Sequence, residues 1–230
     1  MKKTTLALTV ATMLTLPAAV TAQGFGIGAR VGTLGLGAEG AVGVSNSLAI
    51  RAGFGVTPLE INPSSFWDPG QNVDAKLKLP KTWYNIGVDL YPGGGGFRIG
   101  GGMLFKPDDP TITGTLTSSG SIDIGGTTYY GTDVSEVVGT LKSKTKAPYV
   151  LIGFGNEVKS GIGLFLDLGV AFLGEPDVAL EASGPNSAFI NSSAFQQSLR
   201  DEEANLKNDA GKYLKYWPIA SIGIKVGIGG

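Results

Sequence analysis

Ile162-Gly163-Leu164-Phe165-Leu166-Asp167-Leu168-Gly169-Val170-Ala171-Phe172 is the stretch that decides the fold. Every even position in it is large and apolar, while Gly163, Asp167 and Gly169 stand on odd ones. A period of two belongs to a β-strand with two unlike faces. The same alternation recurs along the chain. Tyr84, Ile86, Val88 and Leu90 oppose Asn85, Gly87 and Asp89. Phe25 to Val31 carries Gly26, Gly28 and Arg30 on its second face, and Leu48 to Val56 carries Arg51, Gly53 and Gly55. Phe97, Ile99, Met103 and Phe105 oppose Arg98, Gly100, Gly102 and Lys106. Ile152 and Phe154 oppose Gly153 and Gly155, and Ile222 to Ile228 interleaves Gly223, Lys225 and Gly227. Between Val31 and Leu34 the parity switches at Gly32-Thr33, which reads as a tight turn. Leu34, Leu36, Ala38, Val42 and Val44 then alternate with Gly35, Gly37, Glu39 and Gly43.

One face is therefore apolar and almost free of charge, and the other is glycine with isolated charges. A soluble sandwich turns a bulky polar face to water. A face this small in volume suits the inside of a narrow closed barrel whose apolar side meets lipid. Closure also leaves no unpaired backbone in hydrocarbon. The expectation is an all-β chain: a closed antiparallel transmembrane β-barrel of about eight strands, with long outer loops and one short helix.

The connections fit that topology. Ser45-Asn46-Ser47, Pro92 to Gly96 and Glu157 to Ser160 are short; 57–80, 107–146 and 174–213 are long, and the two kinds alternate. Outer-membrane barrels have short periplasmic turns and longer outer loops, which puts both ends of the barrel on the periplasmic side. Phe25, Tyr91, Phe97 and Phe154 fall at the periplasmic level, and Trp83, Tyr84, Phe105, Tyr149, Phe172, Tyr216 and Trp217 at the outer one. Two aromatic levels are expected of a membrane barrel. In the third long loop Ser193-Ala194-Phe195-Gln196 fits a capping box. A helix to about Asn208 would follow, with Phe195, Leu199 and Leu206 on one stripe. Ile122-Asp123-Ile124 and Thr127 to Tyr130 are candidates to extend strands beyond the membrane.

Residues 1–22 read as a secretory signal: Lys2 and Lys3, an apolar stretch from Leu6 to Val20, and small residues at Val20-Thr21-Ala22. Residues 23–230 then form a single barrel domain, exported to the bacterial outer membrane. Without residues 1–22 the chain holds 16 basic residues (18 less two lysines) against 19 acidic ones, no footprint for nucleic acid. Cysteine and histidine are absent, which removes disulfides, zinc–thiolate sites, thiol nucleophiles and imidazole chemistry.

The motifs carry little chemistry. Gly35 to Gly40 spells G-x-G-x-x-G, but alternation runs through it and no acid lies between Glu39 and Glu60, so no dinucleotide site is expected. Arg30, Glu39, Arg51, Asp89, Arg98, Asp167 and Lys225 share the glycine face. Paired carboxylates could serve acid–base catalysis. Mixed signs inside a narrow barrel fit a lumenal network of mutually neutralising charges better, because buried charges are normally paired. A turn centred near Gly94 would set Asp89 opposite Arg98. Asp108-Asp109 and Lys142, Lys144 and Lys146 read as an ordinary charged outer loop. Leu166 should face lipid and Gly169 the lumen, where a methyl group would fit.

These strands resemble the small outer-membrane barrels of the OmpA, OmpX and OmpW kind. The resemblance covers residues 24–228 and rests on Thr33-Leu34-Gly35-Leu36-Gly37, Asp89-Leu90-Tyr91-Pro92, Gly96-Phe97-Arg98, Ala147-Pro148-Tyr149 and Leu166-Asp167-Leu168-Gly169. It departs from that pattern at Ile228-Gly229-Gly230, where such chains usually carry an aromatic residue. The resemblance implies a barrel handled by the barrel assembly machinery, in contact with outer-membrane lipid and lipopolysaccharide. It implies no cofactor, no metal and no catalytic residues. The expected role is structural or surface-interacting through the outer loops. A small conduit for apolar molecules is the alternative, and a lipid-modifying enzyme is disfavoured without histidine.

Overall fold

In the computed structural model, which describes residues 24–57, 60–62 and 71–229, eight strands close into an antiparallel barrel. They are β1 (Phe25–Gly32), β2 (Gly35–Ser45), β3 (Leu48–Val56), β6 (Thr82–Leu90), β7 (Phe97–Phe105), β11 (Lys146–Phe154), β12 (Gly161–Phe172) and β14 (Tyr216–Ile228). Around the barrel they run β1-β14-β12-β11-β7-β6-β3-β2, and β1 closes on β14 with Phe25 opposite Ile228. Thr33 and Leu34 form the tight turn between β1 and β2, followed by Gly35 at φ +82°. The expected signal segment, 1–22, lies outside the described residues.

The alternation sets the facing. Ile27, Leu36, Ile50, Ile86, Ile152, Leu164 and Ile224 all point outward and lie exposed, while Arg51, Asp89, Arg98 and Asp167 are about 1% exposed or less. That is the reverse of a soluble barrel, and it puts the apolar surface where lipid would be. The aromatic levels hold, but not every ring looks outward. Phe97 and Phe154 pair at 5.5 Å, and Phe172 and Tyr216 at 5.8 Å, on the outer surface. Trp83, Tyr149 and Tyr91 instead turn into the bore.

The long connections are not loose. β4 (Glu60–Ile61), β5 (Gln71–Lys78), β8 (Thr111–Ile124), β9 (Thr127–Tyr130), β10 (Glu136–Lys142) and β13 (Asp177–Ser183) build a second sheet in the order β13-β10-β8-β5-β4, with β9 hairpinned onto β8. Most of it is barrel strand continued: β5 leads into β6, β7 into β8, β10 into β11 and β12 into β13. Pro80, Pro107, Pro110 and Pro176 sit in three of these joints, where a residue lacking an N–H interrupts the ladder.

Two helices cover this outer sheet, α1 (Ser187–Ile190) and α2 (Ser193–Leu214). The cap of α2 is one residue earlier than its sequence suggests: Ser192 Oγ accepts from the Phe195 amide at 3.3 Å, and Gln196 Nε2 donates to the Ile190 carbonyl. Phe195 and Leu199 are buried with Ile124, Val134 and Val137. Leu206, expected on the same stripe, is exposed, because the packed part of the helix ends before it.

Candidate functional site

Among the described residues, chemistry-bearing side chains converge inside the barrel. Three layers fill it, the one at the turn end being Ala41, Ala49, Tyr91 and Val158. At the outer end Leu34, Trp83, Leu104 and Ile219 pack together, and Trp83 meets Trp217 with ring centroids 4.8 Å apart. Leu34, grouped by alternation with the outward residues, is drawn inward by its turn and helps stop this mouth.

The middle layer is ionic. Arg30 lies 3.3 Å from Glu39 and donates to Asn85 Oδ1 at 2.8 Å. Arg51 Nε is 3.1 Å from Asp89, and its Nη1 is 2.8 Å from Asp167. Arg98 Nη2 is 2.6 Å from Asp167, and Nη1 donates to Glu157. The Arg98 guanidinium also sits 5.6 Å over the Phe165 ring. Six of the seven residues singled out in the sequence thus meet. Lys225 does not join an ion pair among the described residues; its ammonium donates to the Lys159 carbonyl.

The glycines explain how so much charge fits. Arg98, Gly153 and Asp167 lie in one row across β7, β11 and β12. A Cβ on Gly153 would fall 2.5 Å from both Arg98 Nε and Asp167 Oδ1. Arg30 is flanked by Gly37 and Gly223, Glu39 by Gly28 and Gly53, and Asp89 lies opposite Gly100. Gly28 and Gly223 also leave the room that the Phe165 ring takes. Small residues beside large ones let a narrow bore close-pack. Gly169 is equally constrained: a methyl there would meet the Val150 carbonyl at 2.3 Å and Leu151 Cβ at 2.5 Å, so it does not fit.

Two further expectations change. Asp89 stands opposite Gly100, not Arg98. The Pro92–Gly94 turn, with Gly93 and Gly94 at positive φ, and the two glycines after it use more residues than a tight hairpin, which moves the register by two. Glu157 is the residue the alternation could not reveal. It belongs to the β11–β12 turn, outside any strand, yet is 2% exposed. At the outer rim Lys106 is buried and held by the Asp109 carboxylate, which also accepts from the Ser143 amide at 3.2 Å. Asp109 is thereby a joint between strands; Lys142, Lys144 and Lys146 remain exposed.

Oxygens of Glu39, Glu157 and Asp167 lie within 4.8 Å of one another. In other surroundings three such carboxylates would hold a cation. Here Arg51 Nη1 lies 3.6, 3.5 and 2.8 Å from them and supplies that charge itself. Between the ionic and outer layers lies a cavity of about 10 Å³, room for roughly one water molecule.

No protein-family model matches the chain, and no curated protein does. Solved structures do match. Acinetobacter baumannii CarO2 superposes with a TM-score of 0.62 at 20% identity, over 90% of this chain and 100% of that one. Acinetobacter baumannii CarO gives 0.57 at 18% identity, over 89% and 97%. At these identities the likeness is one of fold: this chain has the closed eight-strand antiparallel barrel found in both.

Proposed function

We propose that the chain is an integral outer-membrane barrel without enzymatic activity, which acts by presenting its outer sheet and helices at the cell surface. The filled lumen carries this reading: the buried layer of Leu34, Trp83, Leu104 and Ile219 and the buried ion-paired layer below it, with a cavity of about 10 Å³ between them, leave no path for a solute. The exposed apolar belt supports membrane insertion. The outer sheet, with its own buried core around Phe195 and Val137, is the part built to meet something outside. Contact with lipopolysaccharide and delivery by the barrel assembly machinery belong to the same proposal.

The test is reconstitution in planar bilayers together with protease shaving of intact cells. Absence of conductance steps and cleavage within 111–208 from outside support the reading. Stable conductance would favour the conduit alternative, and recovery of the protein from the soluble periplasm would overturn membrane insertion itself.

A further inference from the structure

Three lysines stand together on one side of the barrel's outer end, where β11, β12 and β14 lie next to one another. Lys146 opens β11 with the outward parity of Pro148 and Val150, and it is exposed. Its neighbour across the ladder is Phe105. Lys144 and Lys215 flank Leu173, the residue after β12: the Lys144 amide donates to the Leu173 carbonyl at 3.4 Å, and the Leu173 amide donates to the Lys215 carbonyl at 2.9 Å. Two strand spacings separate them, roughly 10 Å, a span that two lysine side chains can close onto one headgroup. The Lys144 side chain lies over Gly174, where an added Cβ would meet its Cε at 3.1 Å and its Nζ at 3.4 Å. Lys215 has the parity of the inward Trp217, yet its ammonium sits 5.2 Å from the centroid of the outward Tyr216 ring. Phe172 pairs with that same ring at 5.8 Å. The three ammonium groups therefore stand just beyond the outer aromatic level, the depth at which lipid headgroups meet such rings.

These cations lack protein anions. The ion-paired lysines among the described residues are Lys76, Lys78, Lys106 and Lys207. Both acids of the β12–β13 joint, Glu175 and Asp177, act on Lys207. The cluster is also one-sided. At the outer ends of β1, β2 and β3, residues 31–36 and 54–57 carry no charge, and the periplasmic turns 45–47, 91–96 and 155–160 hold one cation, Lys159. Positive charge at a headgroup level, above an apolar wall and aromatic rings, is complementary to a lipid whose head carries phosphate and whose chains lie along that wall.

We propose that Lys144, Lys146 and Lys215 hold the phosphate of an outer-leaflet lipid headgroup against the β11–β12–β14 wall, with Phe105, Phe172 and Tyr216 meeting the upper part of its chains. Lysine serves here as a point charge, which suits a phosphate presented at variable angles. This deepens the membrane reading above and rests on it.

The purified, detergent-folded protein is mixed with lipid A bearing its phosphates, or with the same lipid stripped of them, and retention is read by native mass spectrometry. The phosphorylated lipid should be held at least about tenfold more tightly, and less so as salt rises. Lys144→Gln/Lys146→Gln/Lys215→Gln should remove that preference, at about fivefold for each lysine near a charged surface. Each single variant should give one such step, so the site stays readable if the triple variant folds poorly. Lys76→Gln/Lys78→Gln/Lys159→Gln, an equal change of charge away from this wall, should leave the preference intact. An equal loss in that control set would reduce the effect to net charge and overturn the site. Displacement of the lipid by inorganic phosphate in large excess would make it a free-phosphate site and overturn the lipid assignment. Unchanged retention in the triple variant, with the protein in outer-membrane fractions, would overturn the site and leave insertion standing; recovery of the protein from the soluble periplasm would overturn insertion and the site with it.

Discussion

The Asp89 carboxylate lies 3.1 Å from Nε of Arg51 on the adjacent strand, and both side chains are about 1% exposed. Arg51 also touches Glu39, Glu157 and Asp167, so it is the hub of the ionic layer. Arg51→Gln should cost about 3–5 kcal/mol, because buried Asp89 loses its ion-pair partner and Glu39, Glu157 and Asp167 each lose one of two. Asp89→Asn should cost less, since Arg51 keeps its other acids. Urea unfolding in liposomes across the double-mutant cycle should show coupling above about 0.5 kcal/mol. Coupling of zero would mean that the pair is solvated.

Leu166 and Gly169 are neighbours on β12 that should fail for opposite reasons. Leu166 points outward from the barrel; in the membrane proposed for it, arginine near mid-membrane costs about 2–4 kcal/mol. Gly169→Ala forces a methyl against the Val150 carbonyl and should cost about 1–3 kcal/mol as an overpacked site. Trimming Leu151 to alanine should not rescue it, since the nearest clash is with backbone. Full rescue in folding-yield measurements would refute the assigned geometry.

Ser192, not Ser193, caps α2. Ser192→Ala should weaken the helix by about 0.5–2 kcal/mol, read as faster amide exchange over 195–199. Ser193→Ala should change little. The reverse order would return the cap to Ser193.

The far end of α2 is tied to the sheet by Lys207 donating to Asp177 at 2.5 Å. The hydrogen bond and the charge of Lys207 hold the Asp177 carboxyl below its ordinary value, and the same contact raises Lys207. A lowered carboxylate contributes stability above its unfolded pKa and loses it as pH falls through the folded one. A raised lysine contributes below its unfolded pKa and loses it as pH climbs through the folded one. Protection of 200–207 from proteolysis should therefore fall at both extremes and hold between them. Both groups are fully exposed, so the effect should be small and salt-sensitive. A pH response that survives Asp177→Asn would locate its origin elsewhere.

The barrel was legible because period two is a local property: Leu164, Leu166 and Leu168 announce their facing without knowledge of any neighbour. The ionic layer was partly legible for the same reason, since Arg98 and Asp167 sit at strand positions of inward parity. Pairing was not. Which acid meets Arg98 depends on register, and the length of the Pro92–Gly96 turn moved Asp89 by two positions. Glu157 was invisible because a turn residue has no parity. The role of the glycines was read only halfway. Small volume on one face is evident in sequence, but whether it leaves space or makes room for Phe165 and Arg98 is decided across strands far apart in the chain.

Proteins that stand side by side in a membrane present their outer sheets to one another at the same height, which favours strand-to-strand polymerisation wherever an edge is bare. Here β13, one border of the outer sheet, has α2 laid along it, and the Leu180 amide that would greet an incoming strand donates instead to Glu203 at 2.7 Å. Among the described residues the opposite border, β4, spans Glu60–Ile61. The β13 border of a crowded molecule is therefore closed to a neighbour's strand, and Glu203 is the residue whose loss would remove that restraint.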